Sequence, residues 1–153
     1  MTSVSPVVIA ATARHTATLI FFHGLGDTGH GWASSMGAVR SPHIKVICPT
    51  APIMPVTLNA GFRMPSWFDL RSLEPSGPED EEGEAIGNKN TPLLQGHGDC
   101  DPIVPYRWGQ LTASVLKQFM TQTEFKTYEG MMHTSCAEEM SDMKKFIDKV
   151  LKP

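Results

Sequence analysis

The run Thr18-Leu19-Ile20-Phe21-Phe22 is continuous, apolar and rich in β-branched and aromatic side chains. Strands of that kind occur where a sheet is covered on both faces, which means parallel strands linked by helices. Lys45-Val46-Ile47-Cys48 is a second such run, stopped by Pro49. Leu93-Leu94 is a third, opening after Pro92 and breaking into glycines and acids through Gln95-Gly96-His97-Gly98-Asp99-Cys100-Asp101-Pro102. Phe125-Lys126-Thr127-Tyr128 reads as a further strand, and residues 7–11 as an edge strand. Helical spacing lies between them. Trp32, Met36 and Val39 mark a short helix, and Trp108, Leu111, Val115 and Phe119 form one face of an amphipathic helix. Ser135 and Glu138 have capping-box spacing before a stripe of Met140, Met143, Ile147 and Val150, with Lys149 and Lys152 at the dipole's negative end. This alternation predicts an α/β fold, a mostly parallel sheet flanked by helices.

Two stretches stand apart. Residues 49–67 hold Pro49, Pro52, Pro55 and Pro65 and read as an ordered loop. Residues 74–91 are acidic, rich in Pro and Gly and nearly without apolar side chains, so they read as a linker within a single domain over 1–153. The net charge of −3 argues against a nucleic-acid partner, which requires clustered Lys and Arg. Three cysteines with no Cys-x-x-Cys pair, no basic leader segment and no apolar run near ~20 residues predict a cytoplasmic chain without membrane insertion. The oligomeric state is left open.

The residues able to do chemistry cluster after strands. In His23-Gly24-Leu25-Gly26-Asp27 the glycines permit a tight turn, and the Leu25 N–H is the natural candidate for an oxyanion donor; a plain strand–helix turn is the equal alternative. His23 alone reads sooner as a packed, hydrogen-bonded histidine. Asp101 and His133 each follow a strand, in the acid-then-histidine order of the second half of a Ser…Asp…His sequence. Such a pair serves a general base whose tautomer is held by a carboxylate. Asp99 competes for the acid's role. A metal reading of His97-x-Asp99-x-Asp101 is the weaker rival, because Asp beside Gly and Pro is first of all turn chemistry. Trp67 and Phe68 read as an apolar flap, or as a wall for an apolar substrate chain.

Four stretches carry a resemblance: Phe22-His23-Gly24-Leu25-Gly26-Asp27-Thr28-Gly29-His30-Gly31-Trp32, Met64-Pro65-Ser66-Trp67-Phe68-Asp69, Gln95 to Pro102, and Phe125 to His133. With them the chain resembles the acyl-protein thioesterases of the phospholipase/carboxylesterase family, in the α/β-hydrolase superfamily, over residues 15–82 and 92–151. The resemblance implies that Asp101 and His133 match the family's acid and base, and that Leu25 matches one oxyanion donor. It also implies a fatty-acyl thioester or ester substrate, a fatty-acylated protein or a lysophospholipid; no cofactor and no metal are expected.

One departure is plain. The family's nucleophile lies in Gly-Phe-Ser-Gln-Gly, and this chain has no Gly-x-Ser-x-Gly: Ser34, Ser35, Ser66, Ser76, Ser114, Ser135 and Ser141 all lack the glycine flanks. Two strand–helix units of the family are missing between Glu84 and Pro92, so the resemblance implies a truncated α/β-hydrolase without its nucleophile strand. Either the Leu94 strand slides over to pair with the Val46 strand, or a gap lined by unpaired backbone groups remains. An inactive or severely impaired hydrolase follows, with an acyl- or partner-binding variant and a non-functional shortened product as alternatives.

Overall fold

The computed structural model describes residues 4–72 and 89–153; most of the 74–91 stretch lies outside them. The chain divides into two compact units, one of Met1–Glu82 with Leu151–Pro153 and one of Gly83–Val150.

In the first unit a three-stranded sheet has β3 (Ile44–Cys48) at its centre, β1 (Val7–Ile9) antiparallel on one side and β2 (Ala17–Ile20) parallel on the other. Ile44, Val46 and Cys48 are fully buried. Helix α1 (Gly29–Val39) packs on β3 and β1, burying Met36 and Val39. Thr28 caps it, its side chain accepting from the Gly31 N–H. Gly29 is obligatory at this joint, since a Cβ there would collide with the Cys48 carbonyl.

Two expectations fail here. With β1 and β2 as neighbours, the Val46 strand has no free edge for the Leu94 strand to take; the outer strands of this sheet are β1 and β2. Nor is β2 buried on both faces. Thr18, Ile20 and Phe22 are exposed while Leu19 and Phe21 are half-buried, the alternation of a strand with one covered face, and β2 has a single strand partner among the described residues. Residues 49–67, expected as loop, contain a hairpin of β4 (Ile53–Val56) and β5 (Phe62–Pro65) around a 3₁₀ turn at Thr57–Asn59. Pro55 and Pro65 obscured it, because proline argues against central strands yet is tolerated on the outer edges of a two-stranded ribbon. Phe68 and Leu70 lie outside any strand.

The second unit is a β-α-β crossover: β6 (Leu93–Gly98), α2 (Tyr106–Phe119) and β7 (Thr123–Tyr128), with β6 and β7 parallel from Leu93↔Thr123 to Gly98↔Tyr128. Helix α3 (Ala137–Val150) packs against β6. The strand does not break at Gly96 as expected but continues through His97 and Gly98. Both glycines answer to neighbours rather than to a turn: a Cβ at Gly96 would lie 2.8 Å from the Tyr128 ring, and one at Gly98 would strike the Met131 carbonyl.

The helices also depart in detail. The face of α2 against the sheet is Gly109, Ala113 and Leu116, whereas the predicted Trp108–Phe119 stripe lies elsewhere on the helix. The start of α3 is capped one residue later than expected, by Cys136, whose sulfur accepts the Glu139 N–H at 3.4 Å. In α3 Ile147 is buried, Met140 and Met143 are half-buried and Val150 is exposed. Asp142 takes a buried place and binds Lys126 at 2.8 Å and Lys145 at 3.1 Å.

Candidate active site

The first unit holds the glycine loop after β2. The Asp27 N–H donates to the Gly24 carbonyl, and Gly26 has φ +78°, so Gly24–Asp27 is a turn of the kind that needs glycine at its third position. Gly24 itself faces open space. Asp27 then pins the next turn, accepting from the Thr28 N–H and from Trp32 Nε1, each at 2.7 Å. The Gly26 N–H goes to the Pro65 carbonyl. Leu25 sits at the second turn position, 42% exposed, and its N–H has no partner among the described residues. A free donor on a pinned turn is what an oxyanion needs.

His23 is 2% exposed and held at both ring nitrogens. Nε2 accepts the Ala51 N–H at 3.0 Å, which leaves Nδ1–H to donate to the Gly24 carbonyl at 2.7 Å. Its role is to lock the loop, not to reach solvent. Trp67 lies over it: Nε1–H donates to the His23 carbonyl, and the indole meets Phe22 edge-on with centroids 5.0 Å apart. His23, Gly24, Leu25 and Trp67 thus form one local cluster.

The second unit holds Asp101 and His133. Their loops are knit by backbone bonds: Asp99 N–H to the Tyr128 carbonyl, Cys100 N–H to the Met131 carbonyl, and Gly130 N–H to Asp99 Oδ1 at 2.7 Å. Asp99 is therefore occupied as a loop clamp. Asp101 Oδ1 accepts the Ile103 and Val104 N–H groups, each at 2.8 Å, and Oδ2 meets His133 Nδ1 at 2.9 Å. Burial of the Asp101 carboxyl works to raise its pKa, but the bonds from His133, Val104 and Ile103 outweigh it and hold the pKa below the usual carboxylate value. The carboxylate is 8% exposed and the imidazole 56%. Asp101 fixes Nδ1 as the donor, so a neutral His133 presents its Nε2 lone pair outward. No serine hydroxyl bonds to that ring among the described residues; Ser66 Oγ goes to the Phe68 carbonyl and Ser114 Oγ to the Gln110 carbonyl.

His97 has a part that its sequence setting did not reveal. Its Nε2–H donates to the Val104 carbonyl at 2.9 Å, closing the same loop whose amides bind Asp101, and the ring edge lies 3.8 Å from Asp101 Oδ2. That bond commits Nε2 to the loop. Among the described residues no group of His, Cys, Asp and Glu converges to hold a metal ion. No helix there is long and apolar enough to cross a membrane.

Comparison with known proteins follows the same residues. A profile of the phospholipase/carboxylesterase family matches the chain in two pieces, residues 4–86 and 81–151. Acyl-protein thioesterase 1 of Neurospora crassa is 31% identical over 220 positions, covering 93% of this chain and 90% of that protein. Acyl-protein thioesterase 1 homolog 1 of Dictyostelium discoideum is 34% identical over 207 positions, covering 90% and 92%. Both alignments are longer than the 153 residues of this chain, so each relative carries residues that have no counterpart here. The crystal structure of Zea mays acyl-protein thioesterase 2 superposes with a TM-score of 0.83 at 25% identity, over 94% of this chain and 97% of that one. The esterase PE8 shares the fold alone, at a TM-score of 0.73 and 15% identity. The fold is therefore that of a shortened α/β-hydrolase, and the chain belongs to the phospholipase/carboxylesterase family.

Proposed function

We propose that this chain is an acyl-protein thioesterase relative that keeps the acid, the base and one oxyanion donor but has lost the attacking serine. The observation that carries this reading is the 2.9 Å pair of Asp101 and His133, whose outward ring face meets no hydroxyl among the described residues. The substrate class is a fatty-acyl thioester or ester, such as an S-acylated cysteine in a cytoplasmic protein or a lysophospholipid. The relatives' printed names and the free Leu25 N–H support it.

Without a nucleophile no acyl-enzyme forms. What remains is a histidine able to draw a proton from water, a contribution of ~10²–10⁴-fold where it acts alone. Covalent catalysis and its positioning are absent. A fluorogenic palmitoyl-thioester assay tests the reading. The expected trace is slow and without a burst, and His133→Ala brings it to the buffer rate. A burst, or turnover in the ordinary enzymatic range of ~1–10³ per second, overturns it.

A second reading rests on the Trp67–Phe22 pair, both of whose rings reach solvent: a non-catalytic binder of acyl chains. Saturable binding of a palmitoylated peptide that is lost in Trp67→Ala supports it, and no binding ends it.

A further inference from the structure

The loop that carries Asp101 has few bonds to spare. Between Asp101 and the start of α2 it contains Pro102 and Pro105, which have no N–H, and α2 begins without a side-chain cap. The two amides left, of Ile103 and Val104, both go to Asp101 Oδ1 at 2.8 Å. A carboxylate bonded to amides two and three residues on is local turn chemistry, and it ties the loop to itself. The Val104 carbonyl carries the bond out to β6, accepting from His97 Nε2–H at 2.9 Å. His97 is itself seated firmly. Its side chain is 13% exposed, and its ring lies so near α2 that a Cβ at Gly109 would stand 2.5 Å from Nδ1. Gln95, two residues earlier on β6, donates from Nε2 to the Gly109 carbonyl at 3.0 Å.

We infer that His97 is a positioning residue for the Asp101–His133 pair, fixing Val104 so that Asp101 Oδ1 stays occupied and Oδ2 is left to face the His133 ring. The inference rests on the reading of that pair as acid and base. With two amides on Oδ1 the carboxylate cannot turn, and Oδ2 alone meets His133 Nδ1, at 2.9 Å. The His97 nitrogen stands 3.8 Å from that same Oδ2, with its proton spent on Val104. Freed from His97, Val104 holds Oδ1 less firmly, and hydrogen bonds to the charged form are what keep a carboxyl acidic. The rival is that the Asp101 turn holds itself and His97 merely fills space against Gly109.

The test compares His97→Asn with His97→Gln in the full chain. Asn ends where the inner half of the imidazole ends, whereas the Gln amide reaches on toward the place of Nε2. Both remove the ring and any charge it takes up in acid, so the difference between them reads the bond to Val104. The Asp101 carboxyl is followed by ¹³C NMR, and the His133 Nδ1–H by its downfield proton resonance. The expected result is an Asp101 midpoint moved up toward ~3.9 in His97→Asn, with the downfield resonance lost. His97→Gln lies nearer the parent on both readouts. Equal midpoints in the two variants overturn the inference, as does a parent-like titration in His97→Asn. Should His97→Asn give no cooperative melt, His97→Gln decides: its downfield resonance is expected to persist at neutral pH, and its loss overturns the inference. Labelling of a serine by a fluorophosphonate would instead refute the acid–base reading without its nucleophile, and leaves these titrations standing.

Discussion

Gly109→Ala sets two forces against each other in a folded helix. Gly109 lies in the interior of α2, where helix propensity alone favours alanine by ~0.8–1.0 kcal/mol. The added methyl would stand 2.5 Å from His97 Nδ1, 2.8 Å from Cγ and 3.2 Å from Cβ. Cγ and Cβ are the root of the ring, and Nε2 is tied to the Val104 carbonyl, so the imidazole has little room to swing away. Overpacking of this kind costs ~1–3 kcal/mol, which outweighs the propensity gain. The net expectation is a loss of about 1 kcal/mol, or a fall in Tm of ~4–8 °C for a unit of this size. Thermal unfolding by circular dichroism reads it. His97→Ala removes the obstacle, so Gly109→Ala in that background becomes neutral or stabilising, a coupling of ~1 kcal/mol or more between the sites. The same variants report on the acid–base pair: Gly109→Ala weakens the downfield His133 Nδ1–H proton resonance, because a displaced His97 releases the Val104 carbonyl and loosens the loop whose Ile103 and Val104 N–H groups hold Asp101. A rise in Tm on Gly109→Ala in the parent chain refutes the packing argument.

Other outcomes follow from single interactions. Thr28→Ala removes the cap of α1 and lowers stability by ~1 kcal/mol in chemical denaturation, with Thr28→Ser restoring most of it. Burial, with the carboxylates of Asp142 and Glu139 nearby, pushes the Tyr128 phenol up to about 12. In Tyr106→Phe, which isolates it, absorbance near 295 nm therefore titrates around that value; since the folded pKa is raised, the stability it contributes is present below ~10 and lost as pH rises toward 12. The Asp101 pKa is depressed on folding, so its contribution is present above ~3.9 and lost as pH falls through the folded value. Asp101→Asn flattens that acid limb in a plot of Tm against pH.

The apolar runs and helix spacings made the elements around Thr18, Val46, Leu94 and Phe125 legible, because a buried strand leaves few choices of residue. The pairing of those strands was not, since partners are set by sequence-distant edges: nothing local shows that β2, not β3, ends the sheet. The hairpin at Ile53–Pro65 was hidden by its prolines. The periodic apolar stripe of α2 was legible, but the face on the sheet was not, because Gly109 and Ala113 have no hydrophobic signature of their own; the value of Gly109 is closeness, visible only once His97 lies against it. The pairing of Asp101 with His133, 2.9 Å apart, was legible through their order after two strands. The roles of Asp99 as a clamp and His97 as a loop closure were not, because each depends on backbone groups that sequence does not locate.

On the proposed reading, the Asp101–His133 pair persists without an oxygen to attack the acyl carbon. Intact mass after treatment with a fluorophosphonate tests it most directly, with peptide mapping of any adduct. The expected result is an unmodified chain under conditions that label an active serine hydrolase to completion. Stoichiometric labelling of one serine, abolished by His133→Ala, would contradict the account.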